Sequence, residues 1–125
     1  MAGKIIADQI EHSTAGSLDT SYVVNGTVKS WCNHQQAATY VVRDSFSISS
    51  ITDIHAGSTR LNFSSAFATT GYSQTQTFGE GGPNRRSNYT IYNYTTTSVE
   101  MQTVNSGGSY DDATFCNSIT IGELA

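Results

Sequence analysis

The stretch Tyr22–Thr52 reads Y-V-V-N-G-T-V-K-S-W-C-N-H-Q-Q-A-A-T-Y-V-V-R-D-S-F-S-I-S-S-I-T, and its reading decides the fold. It holds the only Trp, one of the two Cys and most of the valines. β-Branched and aromatic side chains fit a pleated, half-buried surface. Asn25-Gly26 is a strong hairpin signal, because both residues accept positive φ. Tyr22–Val24 is therefore expected as a strand, followed by a turn or bulge at Gly26 and a second strand over Thr27–Asn33. On that second strand Val28, Ser30 and Cys32 share one face, and Lys29 and Trp31 take the other. His34–Ala37 is read as a turn. Tyr40–Asp44 and Phe46–Ile51 form the next strand region, with Phe46, Ile48 and Ser50 on one parity.

Outward from this stretch the same pattern repeats. In Thr59–Ser64, Leu61 and Phe63 alternate with Arg60 and Asn62, the mark of a strand with one wet face. Asp53–Ser58 reads as a loop and Ser65–Gly71 as a connector. Tyr72–Phe78, Tyr89–Tyr94, Ser98–Val104 and Ala113–Ile121 read as further strands, with Val99 and Met101 alternating with Glu100 and Gln102. Gly79–Asn88, with three Gly, the only Pro and the only paired arginines, reads as the longest loop. Turn signals about every ten residues predict an all-β antiparallel β-sandwich, jelly-roll-like, with no substantial helix. Residues 1–20 are set apart as an N-terminal arm and 21–125 as the sandwich domain. In the arm, Ile5, Ile6 and Ile10 do not make a lasting helical stripe, so a helical turn and an extended arm both stay open.

Composition supports this reading. The chain has 125 residues, enough for one domain. Ser and Thr number 17 each, charged residues make up 13%, and there are only three Leu and two Lys. Helix formers are scarce, and the faces are covered by hydroxyls and amides. Ordering the backbone costs ~1–2 kcal/mol per residue, while burial returns ~25 cal/mol per Å². A core this thin points to help from a neighbouring subunit.

A net charge of −4 with six scattered Lys and Arg speaks against nucleic acid as a partner. No apolar run approaches membrane-span length, so no membrane partner is expected. The N-terminus carries no apolar stretch of signal-peptide length. The expectation is synthesis in a cytoplasm, without export by that route. The four N-x-S/T sequons at Asn25, Asn62, Asn88 and Asn93 are accordingly read as strand composition, not glycan sites.

The residues that bear chemistry form no reactive set. His12, His34 and His55 are scattered in polar stretches, without metal-ligand spacing, and are read as solvated loop residues. Asp111-Asp112 beside Gly107-Gly108 is read as a turn, lacking the periodic oxygens of a calcium loop. No G-x-S-x-G occurs, and Glu80, Glu100, Asp111 and Asp112 stand out as candidate acids only because acids are few. The expectation is no enzyme, no catalytic residues, no metal and no cofactor. Cys32 and Cys116 match no paired motif. Two small buried thiols is the preferred reading, and a disulfide between an early strand and the last one stays open.

Y-V-V-N-G-T-V-K-S-W, V-V-R-D-S-F-S-I-S-S-I-T-D, L-N-F-S-S-A-F and G-Y-S, with I-I-A-D-Q-I-E-H-S-T-A-G-S-L-D-T before them, resemble small virion proteins and tail-fibre modules of marine and cyanobacterial tailed phages. The likeness covers residues 4–73, and the later half matches in style alone. It departs from the pattern at Cys32–Gln36 and around Ile54-His55. The resemblance implies a virion structural component, a homotrimeric tail-fibre or receptor-binding protein, with other phage structural proteins as partners. The alternative is a capsid cement (decoration) protein, which its length and its start at Met1 would suit. In either role Lys4, Ile5, Ile6 and Ile10 are the candidate docking residues of the arm. Glu80, Asn84, Arg85 and Arg86 form a candidate loop for a partner or a host-surface glycan, with Tyr89, Tyr92 and Tyr94 as stacking candidates. Trp31, Leu61 and Phe63 are assigned to the core or a subunit seam.

Overall fold

The structure, a computed structural model, describes residues 6–13, 15–79 and 87–125, with the backbone alone for His12 and residues 87–89. The chain is an all-β antiparallel sandwich preceded by a separate N-terminal arm. The arm comprises β1 (Gln9–His12), β2 (Gly16–Asp19) and one short helix, α1 (Thr20–Gly26). The sandwich begins with β3 (Val28–Gln35) and continues with β4 (Val41–Phe46), β5 (Ile48–His55) and β6 (Ser58–Phe63). It is completed by β7 (Ser73–Gly79), β8 (Ser87–Tyr92), β9 (Ser98–Val104) and β10 (Phe115–Ile121). One sheet has the order β4-β3-β10-β7 and the other β5-β6-β9-β8. Three hairpins, β3–β4, β5–β6 and β8–β9, stay within a sheet. The chain crosses between sheets at the remaining connections, which knits the layers together.

Period-two alternation fills the space between the sheets. Cys32 and Cys116 face inward from the first sheet, and Leu61, Phe63, Val99 and Met101 from the second. Phe67, Tyr72 and Ala113 join them from the connections. Each fully buried aliphatic side chain stabilises by roughly 1.5–3 kcal/mol. The core is aromatic at one end, where Phe63 meets Phe67 edge-on at 4.9 Å and Tyr72 at 5.6 Å. At the other end it is polar. The Gln36 side-chain amide donates to Thr59 Oγ1 at 2.8 Å, and its carbonyl accepts from Ala113 N at 3.0 Å. Thr103 Oγ1 also bonds that carbonyl, at 3.3 Å, so one buried glutamine ties β6 and β9 to the segment before β10. Gly57 turns β5 into β6 beside this network at φ +70°. A Cβ there would meet Thr103 O at 2.6 Å and Asp111 N at 2.7 Å, so no side chain fits without moving backbone.

Four local expectations are corrected. Tyr22–Val24 is helix, not strand. The strand after it pairs with β10 and β4, which leaves nothing for Tyr22–Val24 to pair with. Asn25-Gly26 ends the helix, a position these residues favour as much as a hairpin turn, and Thr27 Oγ1 bonds the carbonyl of Val23 at 2.7 Å. His34–Gln35 is strand, because Cys116 on one side and Val41 and Val42 on the other extend the pairing. The turn is confined to residues near Ala38, at φ +63°. His34 is consequently buried, not solvated. Phe46 and Ile48 do not share a face: Ser47 at φ +57° breaks the strand, and the chain passes from one sheet to the other there. Ile48 packs on the core while Phe46 points outward. Asp53–His55 belongs to β5, and the turn is Ala56-Gly57.

Candidate functional site

Three surfaces are built by these elements, and the first is the arm. β1 and β2 pair in a hairpin, Gln9 with Asp19 through His12 with Gly16. Thr20 closes it, its N bonding Asp8 O and its Oγ1 bonding Ala7 O, both at 2.9 Å. Its described residues pack on each other and not extensively on the sandwich. Ile6 is 83% exposed and Tyr22 67%, with Ile10, Leu18, Val23 and Val24 also open to solvent. Of the expected docking residues, Lys4 and Ile5 lie outside the described residues, and Ile6 and Ile10 lie on this arm. Asp8, Glu11 and Asp19 make its described part acidic, with no Lys or Arg to balance them.

The second surface is the outer face of the first sheet. Phe46 pairs with Trp31 and Trp31 with Ile119, so three large apolar side chains form one row across β4, β3 and β10. Phe46 is 55% exposed, Ile119 is also open, and Trp31 is half-buried between them. Trp31 is thus an outward residue, while Leu61 and Phe63 are core. Lys29 and Arg43 stand on the same face. Arg43 lies over the Phe115 ring at 4.3 Å and donates to Gln35 Oε1 at 2.7 Å.

The third surface is a cup on the outer face of the second sheet. Register brings Thr52, Arg60, Glu100 and Tyr92 into one row across all four strands. Glu100 is only 2% exposed although it points away from the core. Arg60 grips its Oε1 through Nε at 2.8 Å and through Nη2, and Asn93 Nδ2 donates to Oε2 at 2.9 Å. Burial alone would raise the Glu100 pKa. Hydrogen bonds from Tyr92, Arg60 and Asn93, with the charge of Arg60, outweigh it and hold the carboxyl below its usual range. Tyr92 OH also meets Ser58 Oγ at 3.2 Å and Gln102 Nε2 at 3.1 Å. Tyr94 forms a wall, its ring 5.3 Å from Tyr72. The turn after it is set by Thr95 Oγ1, which accepts from Ser98 N at 2.9 Å and Thr97 N at 3.2 Å. Arg60, Asn93, Tyr94, Thr95, Thr97, Ser98 and Glu100 line an open depression of about 470 Å³.

Sequence reasoning placed Arg60 on a wet face and Glu100 among the few acids, but did not join them. They lie 40 residues apart, and only the β6–β9 register makes them neighbours. The findable signal was opposite charge at outward positions of two alternating strands. Glu80, Asn84, Arg85 and Arg86 lie outside the described residues, as do the side chains at Tyr89 and Asn88.

The thiols are free and buried. Desolvation pushes Cys32 up to about 11 and Cys116 to about 12, so both stay protonated and unreactive near neutral pH. Asp112 serves structure: its Oδ1 accepts from Gly57 N at 2.6 Å. Among the described residues, no three His, Cys, Asp or Glu side chains are grouped to hold a metal ion, and no helix is long and apolar enough to cross a membrane. No known protein family, curated protein or solved structure matches this chain.

Proposed function

We propose that the chain is a structural protein of a tailed-phage virion, a homotrimeric tail-fibre or receptor-binding component joined to its neighbours through the arm. The observation that carries this reading is the arm itself: a folded hairpin and helix whose apolar side chains its own sandwich leaves uncovered. Apolar surface exposed in this way is stabilised by burial against a partner. A second copy supplies a matching surface. The Phe46–Trp31–Ile119 row is apolar, and Lys29 and Arg43 beside it, with Asp44 as the one acid among the described residues of that face, leave it net positive against the acidic arm. The arm leads directly into β3 at Val28, the strand that carries Trp31. The phrase-level resemblance over residues 4–73 supports the virion as the setting.

Copy number in purified virions, read by quantitative mass spectrometry, tests the reading. A few to tens of copies per particle is the expected result. Hundreds of copies would overturn the tail position and make the chain a cement protein of the shell. Absence from the particle would overturn the virion reading altogether.

A further inference from the structure

The geometry points to the cup at Arg60, Asn93, Tyr94, Thr95, Thr97 and Glu100 as a binding site for a neutral saccharide. This inference deepens the receptor-binding reading and takes its biological meaning from it, but it stands on separate observations. The depression is open to solvent, and its volume of about 470 Å³ leaves room for a small ligand bound on one side, within the size range of small-molecule sites, about 300–1,000 Å³. Its lining alternates what a sugar alternates. The exposed part of the Tyr94 ring offers an apolar face to the C–H face of a pyranose. Thr97 offers a hydroxyl at the rim, while the Thr95 hydroxyl is taken up in holding the turn. Asn93 offers an amide carbonyl that its bond to Glu100 leaves free.

Arg60 is the donor. Its Nε and Nη2 are fixed by Glu100, while its side chain is 41% exposed and Nη1 bonds nothing among the described residues. A guanidinium held on one edge and open on the other presents N–H groups in a set direction, with little ordering left to lose on binding. Charge decides the ligand class. Glu100 is ionised and neutralises Arg60, so the cup carries no net charge. The chain as a whole is at −4. An acidic sugar therefore finds no surplus cation here, and a neutral hexose unit is the better fit. Asn93 sits at φ +48°, in the left-handed region that Asn adopts more readily than most residues, and its amide bonds Glu100 beside the cup.

The test is saturation-transfer-difference NMR on the full chain with methyl glycosides of glucose, galactose and mannose. At least one is expected to bind with millimolar affinity. Tyr94→Leu, which keeps bulk against Tyr72 but removes the aromatic face, is expected to weaken binding at least tenfold. Thr97→Val, an exposed and nearly isosteric change, should weaken it about threefold, and thermal unfolding confirms that each variant is folded. No transfer to any of the three glycosides, or transfer undiminished in folded Tyr94→Leu, would overturn the cup. Particle incorporation of the same variants separates this outcome from the attachment reading: incorporation intact with no sugar bound removes the cup and leaves the arm.

Discussion

His34 shows how one inward position sets a stability profile. It lies on β3 with no solvent exposure, its Nδ1 3.8 Å from Cys32 Sγ and its Nε2 without a partner among the described residues. Desolvation, with the charge of Arg43 behind it, lowers its pKa from 6.5 to about 4. Cys32 and Cys116, the other titratable groups in this part of the core, stay neutral throughout the range concerned. The folded state thus resists protonating a ring that the unfolded chain protonates readily. Stability is full above pH 6.5 and falls as pH drops toward 4, because the unfolded state binds more protons across that window. By pH 5 the loss from this residue is about 2 kcal/mol. Urea midpoints of the wild type should fall between pH 7 and 5, and His34→Gln should remove most of that slope. A slope unchanged in the variant would assign it elsewhere. Glu100 acts in a separate window. Its depressed pKa contributes stability that is lost only as pH falls below the ordinary carboxylate value of 4.5.

At the scale of elements, the arm and the sandwich should be separable. The arm's described side chains are exposed apart from the half-buried Thr20, and its strands and helix contact each other. Removing residues through Thr27 should therefore leave the unfolding free energy of the sandwich within ~0.5 kcal/mol of the full chain. Incorporation into particles should be lost. A truncated chain that fails to fold would show that the arm belongs to the core, and one that still enters the particle would show that docking lies elsewhere. The same segment marks where sequence reading stopped. Strands β3, β6, β9 and β10 were legible because Cys32, Leu61, Val99, Met101 and Cys116 alternate with outward residues, and burial enforces that period. Tyr22–Val24 was not legible. With no packing to decide it, a Tyr-Val-Val run fits strand by propensity, and local capping by Thr27 tips it to helix. Ser47 was illegible for a different reason: a serine at positive φ carries no sequence signature, yet it moves the chain between sheets.

The whole molecule presents two outer faces of unlike chemistry. On the second sheet Arg60, Glu100 and Asn93 bond one another, as do Tyr92 and Gln102, so the face is polar and its ionised pair is internally neutralised. On the first sheet the Phe46–Trp31–Ile119 row leaves aromatic and aliphatic surface in water. Which strands share a sheet decides this contrast, and pairing across 84 residues, as between Asn33 and Asn117, leaves no local trace in sequence. In the proposed assembly a two-faced sandwich would turn its apolar row to neighbouring copies and its polar face outward. Phe46 is the sharpest probe, since it is more than half exposed and removing it leaves the core untouched. Phe46→Asp should keep the unfolding midpoint of the isolated chain within ~0.5 kcal/mol. Placed in an apolar seam opposite Asp8, Glu11 and Asp19 of a neighbouring arm, the new carboxylate would be desolvated and repelled. In the proposed trimer that would cost several kcal/mol at each of three seams. Sedimentation equilibrium should then find trimers for the wild type and monomers for the variant. Trimers in both would release this face from the seam and leave its apolar row to another partner of the particle.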